Sequence, residues 1–184
     1  MPDSLAERAE QLAPKLTKIR RQIHMYPELG YQEKRTSELV AKTLKKTGLE
    51  VRTGVAKTGV VGTLRGGLPG KTVALRADMD ALPITEQNRK PYKSRVEGVM
   101  HACGHDGNTA TVLGAAMLLA QERTGLKGNV RFIFQPSEEA PPGGAFPMIR
   151  EGALRKPSVS CVIGVHVDPS IPAGKIGVRY GPMM

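Results

Sequence analysis

Three short apolar runs, each closing on a polar segment rich in reactive side chains, constrain this chain more than any other feature. They are TVALRA (72–77), followed by DMDALP; NVRFIFQ (129–135), followed by PSEEAPPGG; and VSCVIGV (159–165), followed by His166. Each reads as a short buried strand, and Val130, Phe132 and Phe134 fall on one face of the second. Between the first two runs the spacing predicts a helix over 106–121, with Ala110, Leu113, Ala116, Met117 and Ala120 facing inward. A short helix near 144–153 separates the last two. Strands that alternate with helices imply an α/β fold, a largely parallel sheet with helical layers. In such sheets, sites lie beyond the carboxyl ends of the strands.

The N-terminal part follows a different pattern. Ser4 and Glu7 form a capping box, and Leu5, Ala9, Leu12, Leu16, Ile19 and Ile23 recur at helical spacing. Pro14 is expected to kink or restart that helix. YPELG (26–30) reads as a turn. A second helix is predicted over 32–47, with Leu39, Val40 and Leu44 inward and Gly48 as its stop. Residues 49–65 read as a β-ribbon turning at Thr58-Gly59, and LRGGLPGK (64–71) as a loop.

The 184 residues suffice for one domain with a real core, or two very small ones. No run approaches the ~18–20 apolar residues of a membrane span. The charged start, MPDSLAERAEQL, has no apolar signal core. Cys103 and Cys161 make no disulfide framework, so a cytoplasmic setting is expected. The net charge of +10 raises the question of a nucleic-acid partner. Its distribution argues against one: residues 1–57 hold 12 of the 27 Lys+Arg and 7 of the 17 Asp+Glu, and no basic stripe is interleaved with aromatics.

The chemistry concentrates at four places. Three strand ends carry Asp78/Asp80, Glu138/Glu139 and His166. The helix entrance in MHACGHDGNTATVLGAAMLL (100–119) carries His101, Cys103, His105 and Asp106. In one parallel sheet these could share a rim, and three of the chain's four histidines fall there. Imidazole, thiolate and carboxylate together suit zinc or a similar divalent metal, and a helix N-terminus favours a thiolate. Singly, each residue has a plainer reading. Asp106 fits an N-cap, Cys161 a core cysteine, and His24 a helix-end histidine. A closed structural zinc site would want four ligands, and the paired glutamates count against it.

LRADMDALPI, MHACGHDG, FQPSEEAPPGGA with MIREGAL, and GVHVDPSIPAGKIGVRYGPMM occur in series, preceded by HMYPELGYQEKRT. Together they resemble the metal-dependent amidohydrolases of the hippurate hydrolase and indoleacetyl-amino-acid hydrolase group. These are relatives of the aminoacylases and of carboxypeptidases with two co-catalytic metals. The resemblance spans nearly the whole chain. It implies a zinc-exopeptidase-like catalytic domain, a three-layer sheet flanked by helices. It also implies two divalent ions (Zn, Mn, Co or Ni) held by Cys103 as a bridge with His105, Glu139 and His166. Glu138 would be the general base and Asp80 the acid that orients a ligand. His101 would lie near that shell without a metal. The implied activity is hydrolysis of N-acyl amino acids or related amides. Asn108 departs from the family's usual histidine, and a tuning effect is expected. Family members continue past GPMM into a lid domain that makes a homodimer, then return with a further histidine ligand. The chain is therefore expected to be the N-terminal part of a catalytic domain, residues 1–184, cut before the lid. The alternative is an inactive metal-binding remnant.

Overall fold

The computed structural model describes residues 4–178; the end of the last motif, 179–184, lies outside them. One five-stranded sheet runs in the order β1-β2-β4-β3-β5. Its strands are β1 Glu50–Val55, β2 Gly59–Arg65, β3 Leu68–Asp78, β4 Lys127–Gln135 and β5 Val159–Gly164. β3 is central to a parallel triplet with β4 and β5, while β2 is antiparallel to β1 and β4. The helices are α1 Leu5–Met25, α2 Lys34–Lys46, α3 His105–Gln121 and α4 Ala145–Arg150. α3 and α4 supply the crossovers that parallel neighbours require. The carboxyl ends of β3, β4 and β5 therefore open on one rim.

The period-2 alternation of the strands splits the core into two layers. Val60, Leu64, Val130, Phe132 and Phe134 pack against Ile19, Ile23, Val40, Leu44, Leu113 and Met117 of α1, α2 and α3. Val61, Ala74 and Ile133 face the other way, against Met148 and Ala153. Helices thus cover both faces, as a three-layer α/β sheet requires. Leu16 of α1 presses into a dimple at Gly114 of α3, where an added Cβ would come within 2.6 Å of Leu16 Cδ1.

Most local signals act as their chemistry predicts. Ser4 and Glu7 cap α1 reciprocally, at 2.6 Å and 3.2 Å. Gly48, at φ 74°, ends α2. The ribbon turns through Ala56 and Lys57, one step before the Thr58-Gly59 pair. Three expectations need correction. Pro14 sits inside one continuous α1; tertiary packing of Leu12, Leu16, Ile19 and Ile23 holds the helix across the single lost hydrogen bond. The segment 64–71 is not a loop, since β3 already begins at Leu68. Its glycines let the backbone close on 124–128: a Cβ on Gly66 would lie 2.2 Å from the Gly128 carbonyl oxygen. Cys161 is exposed rather than in the core, because β5 is an edge strand exposed along most of its length.

Leu44 is fully buried and lies against Gly62. Leu44→Ala should therefore destabilise the fold by about 2–5 kcal/mol. Urea unfolding would read this as a lower midpoint at unchanged slope.

Candidate metal centre

The rim gathers the sequence's candidates from four elements. Asp80 lies two residues past the end of β3. Glu138 and Glu139 lie on the loop after β4, and His166 follows β5. Cys103 precedes α3, and His105 is its first residue. The helix begins at Gly104 in the left-handed conformation, φ 85°, and no side chain caps it. Asp106 is therefore not the N-cap. Its buried carboxylate accepts instead from Arg20 Nε at 2.9 Å and pairs with His24 Nδ1 at 2.9 Å. The other ring nitrogen of His24 faces Glu86 at 3.3 Å. His24 thus ties α1 to α3 and to the 83–100 segment.

Two groups of potential ligand atoms form, each within 4.8 Å: Cys103, His105 and His166, and His105, Glu138 and Glu139. His105 is common to both. Its Nδ1 lies 2.8 Å from the Asp80 carbonyl oxygen. A carbonyl can only accept, so Nδ1 carries the hydrogen and Nε2 keeps its lone pair. The same logic applies to His166, whose Nδ1 is 2.7 Å from the Val167 carbonyl oxygen and whose Nε2 is 3.4 Å from Cys103 Sγ.

The free Nε2 of His105 then meets only acceptors. Asp78 Oδ2 is at 3.7 Å, Glu139 Oε1 at 3.7 Å and Glu138 Oε2 at 3.8 Å. Three buried atoms here have no hydrogen-bond partner among the described residues: His105 Nε2, Asp80 Oδ1 and Glu139 Oε1. Each such burial costs about 1–3 kcal/mol. A cation beside the ring resolves His105 Nε2 and Glu139 Oε1 together, while Asp80 Oδ1 lies on the other side of the ring, 3.3 Å from His105 Nδ1; this donor set fits a metal.

The electrostatics point the same way. Burial pushes the Cys103 thiol up to about 12, reinforced by Glu139, Asp78 and Glu138. Burial opposes a charge on His105, yet Asp80 and Asp78 outweigh it and raise the imidazole above its ordinary value. Burial likewise opposes ionisation of Asp80, but His105 and the amides of Glu139 and Glu138 hold its carboxyl below the usual range. His101, pushed down to about 4 by burial, is neutral and belongs to neither group.

Sequence reasoning passed over the part played by Asp78. Its carboxylate is gripped by Arg76 at 2.6 Å and by Asn108 Nδ2 at 2.8 Å, and it faces His105. The two-residue spacing from Asp80 carried the signal, since both project from one strand end. Asn108 also accepts from the Val167 amide at 3.1 Å. It thereby links β3 to the segment that holds His166, and this gives the departure from histidine a concrete setting.

The chain is thus a mixed α/β protein with an acceptor-rich cluster, suited to a metal, on the carboxyl rim of its parallel strands. Residues 74–181 match the model of peptidase family M20/M25/M40, and the chain belongs to that family. It is 53% identical over 171 residues to thermostable carboxypeptidase 1 of Saccharolobus solfataricus, covering 92% of this chain and 43% of that protein. It is 47% identical over 165 residues to the N-acyl-L-amino acid amidohydrolase of Geobacillus stearothermophilus, covering 90% and 44%. Among solved structures it superposes with TM-score 0.88 on the Bacillus subtilis YXEP protein, described as a dinuclear metal binding peptidase. That match has 44% identity and covers 94% of this chain and 48% of that one. The chain therefore spans less than half the length of the relatives it matches. No helix among the described residues is long and apolar enough to cross a membrane.

The Cys103 thiol holds its proton at neutral pH, and the neighbouring Asp80 and Asp78 favour a second proton on His105, so a cation entering the site competes with protons for both. Adding a divalent cation to weakly buffered protein at pH 7 should acidify the solution. Affinity should weaken as pH falls, because both groups are proton-bound below their raised pKa values. A pH-independent affinity between 6 and 8 would contradict this.

Proposed function

We propose that this chain carries the metal-binding part of an amidohydrolase that cleaves the amide bond of N-acyl amino acids. The observation that carries this reading is the crowd of unpaired acceptors around His105 Nε2. Support comes from the relative named N-acyl-L-amino acid amidohydrolase and from the neighbour described as dinuclear. Cys103, His105, Glu139 and His166 would hold two divalent ions of the Zn, Mn, Co or Ni type, with Cys103 between them. Such ions supply Lewis-acid polarisation of a carbonyl and acidification of a water.

The chain's own residues divide the remaining work. Glu138 is the more exposed carboxylate of the pair, with a side chain 38% exposed against 22% for Glu139. It is free to take a proton from water at its carboxylate and to return it to the departing amine nitrogen. Glu139 is held from behind by Asp80, whose Oδ2 accepts its amide hydrogen at 3.0 Å. Asp80 also fixes the His105 tautomer, which keeps the Nε2 lone pair turned inward.

A second reading, release of C-terminal residues from peptides, is favoured by the 53% identical carboxypeptidase. The bond is again an amide on an amino acid nitrogen, so the same groups would serve. A panel of N-acyl amino acids and short peptides decides between the two. The relatives are more than twice as long. We take residues 1–184 as the N-terminal part of the catalytic unit, with a cytoplasmic setting and dimerisation through a lid as in the resembling family. On that view the 184-residue chain alone turns over far more slowly than a relative of full length.

The two glutamates give the sharpest test. Glu138→Gln should keep the bound metal and lose turnover by about 100- to 10,000-fold. Glu139→Gln should lower metal content as well, read by elemental analysis after dialysis. Equal metal loss in both variants would contradict the division of roles.

A further inference from the structure

We propose that Glu33, at the entrance to α2, is a positioning residue that clamps the loop presenting Glu138. This rests on the reading of Glu138 as the proton carrier. Glu33 is fully buried in the stretch YQEKRT, and among the described residues it forms no ion pair, although Lys34 and Arg35 follow it in sequence. Its two oxygens go elsewhere. Oε1 accepts the Ser137 amide hydrogen at 2.8 Å, and Oε2 accepts from the Thr58 hydroxyl at the start of the β2 hairpin. One carboxylate therefore ties the α2 entrance to the β-ribbon and to the loop after β4.

The loop requires such a tie. Ser137 stands at φ 47°, a left-handed conformation uncommon for residues with a Cβ, so its surroundings must hold it there. The rest of the 28–33 turn is shaped to the same loop. Ser137 seats against Gly30, where an added Cβ would come within 2.6 Å of Ser137 Oγ. Tyr31 donates its hydroxyl hydrogen to the Gly143 carbonyl at 2.8 Å, at the loop's far end. The Gly144 amide closes the loop onto the Ser137 carbonyl at 2.8 Å. On the other side of Glu138, the Glu139 amide is held by Asp80. Glu138 thus sits between two amides, each gripped by a buried carboxylate from a different element. Glu33 supplies one grip and Asp80 the other, and among the described residues the side-chain bonds of Glu33 go to Thr58 and Ser137 rather than to a potential metal ligand.

Hydrogen exchange and kinetics on the active full chain test this together. In Glu33→Ala, the amides of 137–139 should exchange at least tenfold faster. The turnover number should fall about 10- to 100-fold with KM within threefold, while metal content stays at the wild-type level because Asp80 still holds Glu139. Glu33→Gln should restore both readouts, since its carbonyl can accept from Ser137 and its amide can donate to the Thr58 oxygen. If Glu33→Ala does not fold, Thr58→Val decides: it should speed exchange at 137–139 with the fold intact. Unchanged exchange there in the folded variants would overturn the clamp. So would a Glu33→Ala activity loss that only follows the folded fraction. A Glu138→Gln control separates the two readings. Should that variant keep turnover, the proton-carrier role fails, and the exchange rates alone still decide whether Glu33 holds the loop.

Discussion

The double grip of Asp80 is the interaction on which the rim depends. Its carbonyl oxygen takes the Nδ1 hydrogen of His105, and its carboxylate takes the amide hydrogen of Glu139. This single residue, two positions past β3, thereby fixes the first residue of α3 and the loop after β4 relative to each other. The parallel order of β3, β4 and β5 makes this possible, because it delivers three strand ends to one side of the sheet. Without the grip, His105 could adopt the other tautomer and turn its lone pair away from the glutamates.

The site is built against its own stability in the absence of a cation. Asp78, Glu138 and Glu139 converge on a buried imidazole nitrogen with no donor among them. A proton on His105 relieves part of that crowding, and Asp80 and Asp78 favour it. The thiol of Cys103 stays protonated because burial and the carboxylates beside it both disfavour the thiolate. Proton and cation are therefore rivals for one electrostatic hole. Perturbed groups clustered on a rim are a mark of function, where local stability is given up for chemistry.

Much of this was legible in the sequence, and what escaped it has identifiable causes. The strand–helix alternation from 72 to 165 specified the parallel triplet, because a period of 2 giving way to 3.6 is written in the residues themselves. Glu138, Glu139 and His166 stood out at strand ends and Cys103 and His105 at the entrance to a helix, and the resemblance to the amidohydrolases separated them from Asp78, His101 and Asp106 beside them. Cys161 was misread because an apolar strand looks alike at the centre and at the edge of a sheet. Asp106 was misread because an aspartate at a helix start is so often a cap; its true partners, Arg20 and His24, are more than 80 residues away. Glu33 was invisible for a related reason. Its burial depends on Thr58 and Ser137, which only the fold brings to it. Pairings across such distances leave no periodic trace.

A crystal of the protein soaked in manganese and measured where manganese scatters anomalously addresses the proposed binuclear centre most directly. Two anomalous peaks should flank the rim, one near Cys103, His105 and His166 and one near the glutamates, with Cys103 Sγ between them. A single peak distant from His105 Nε2, or none at the rim, would contradict the binuclear reading.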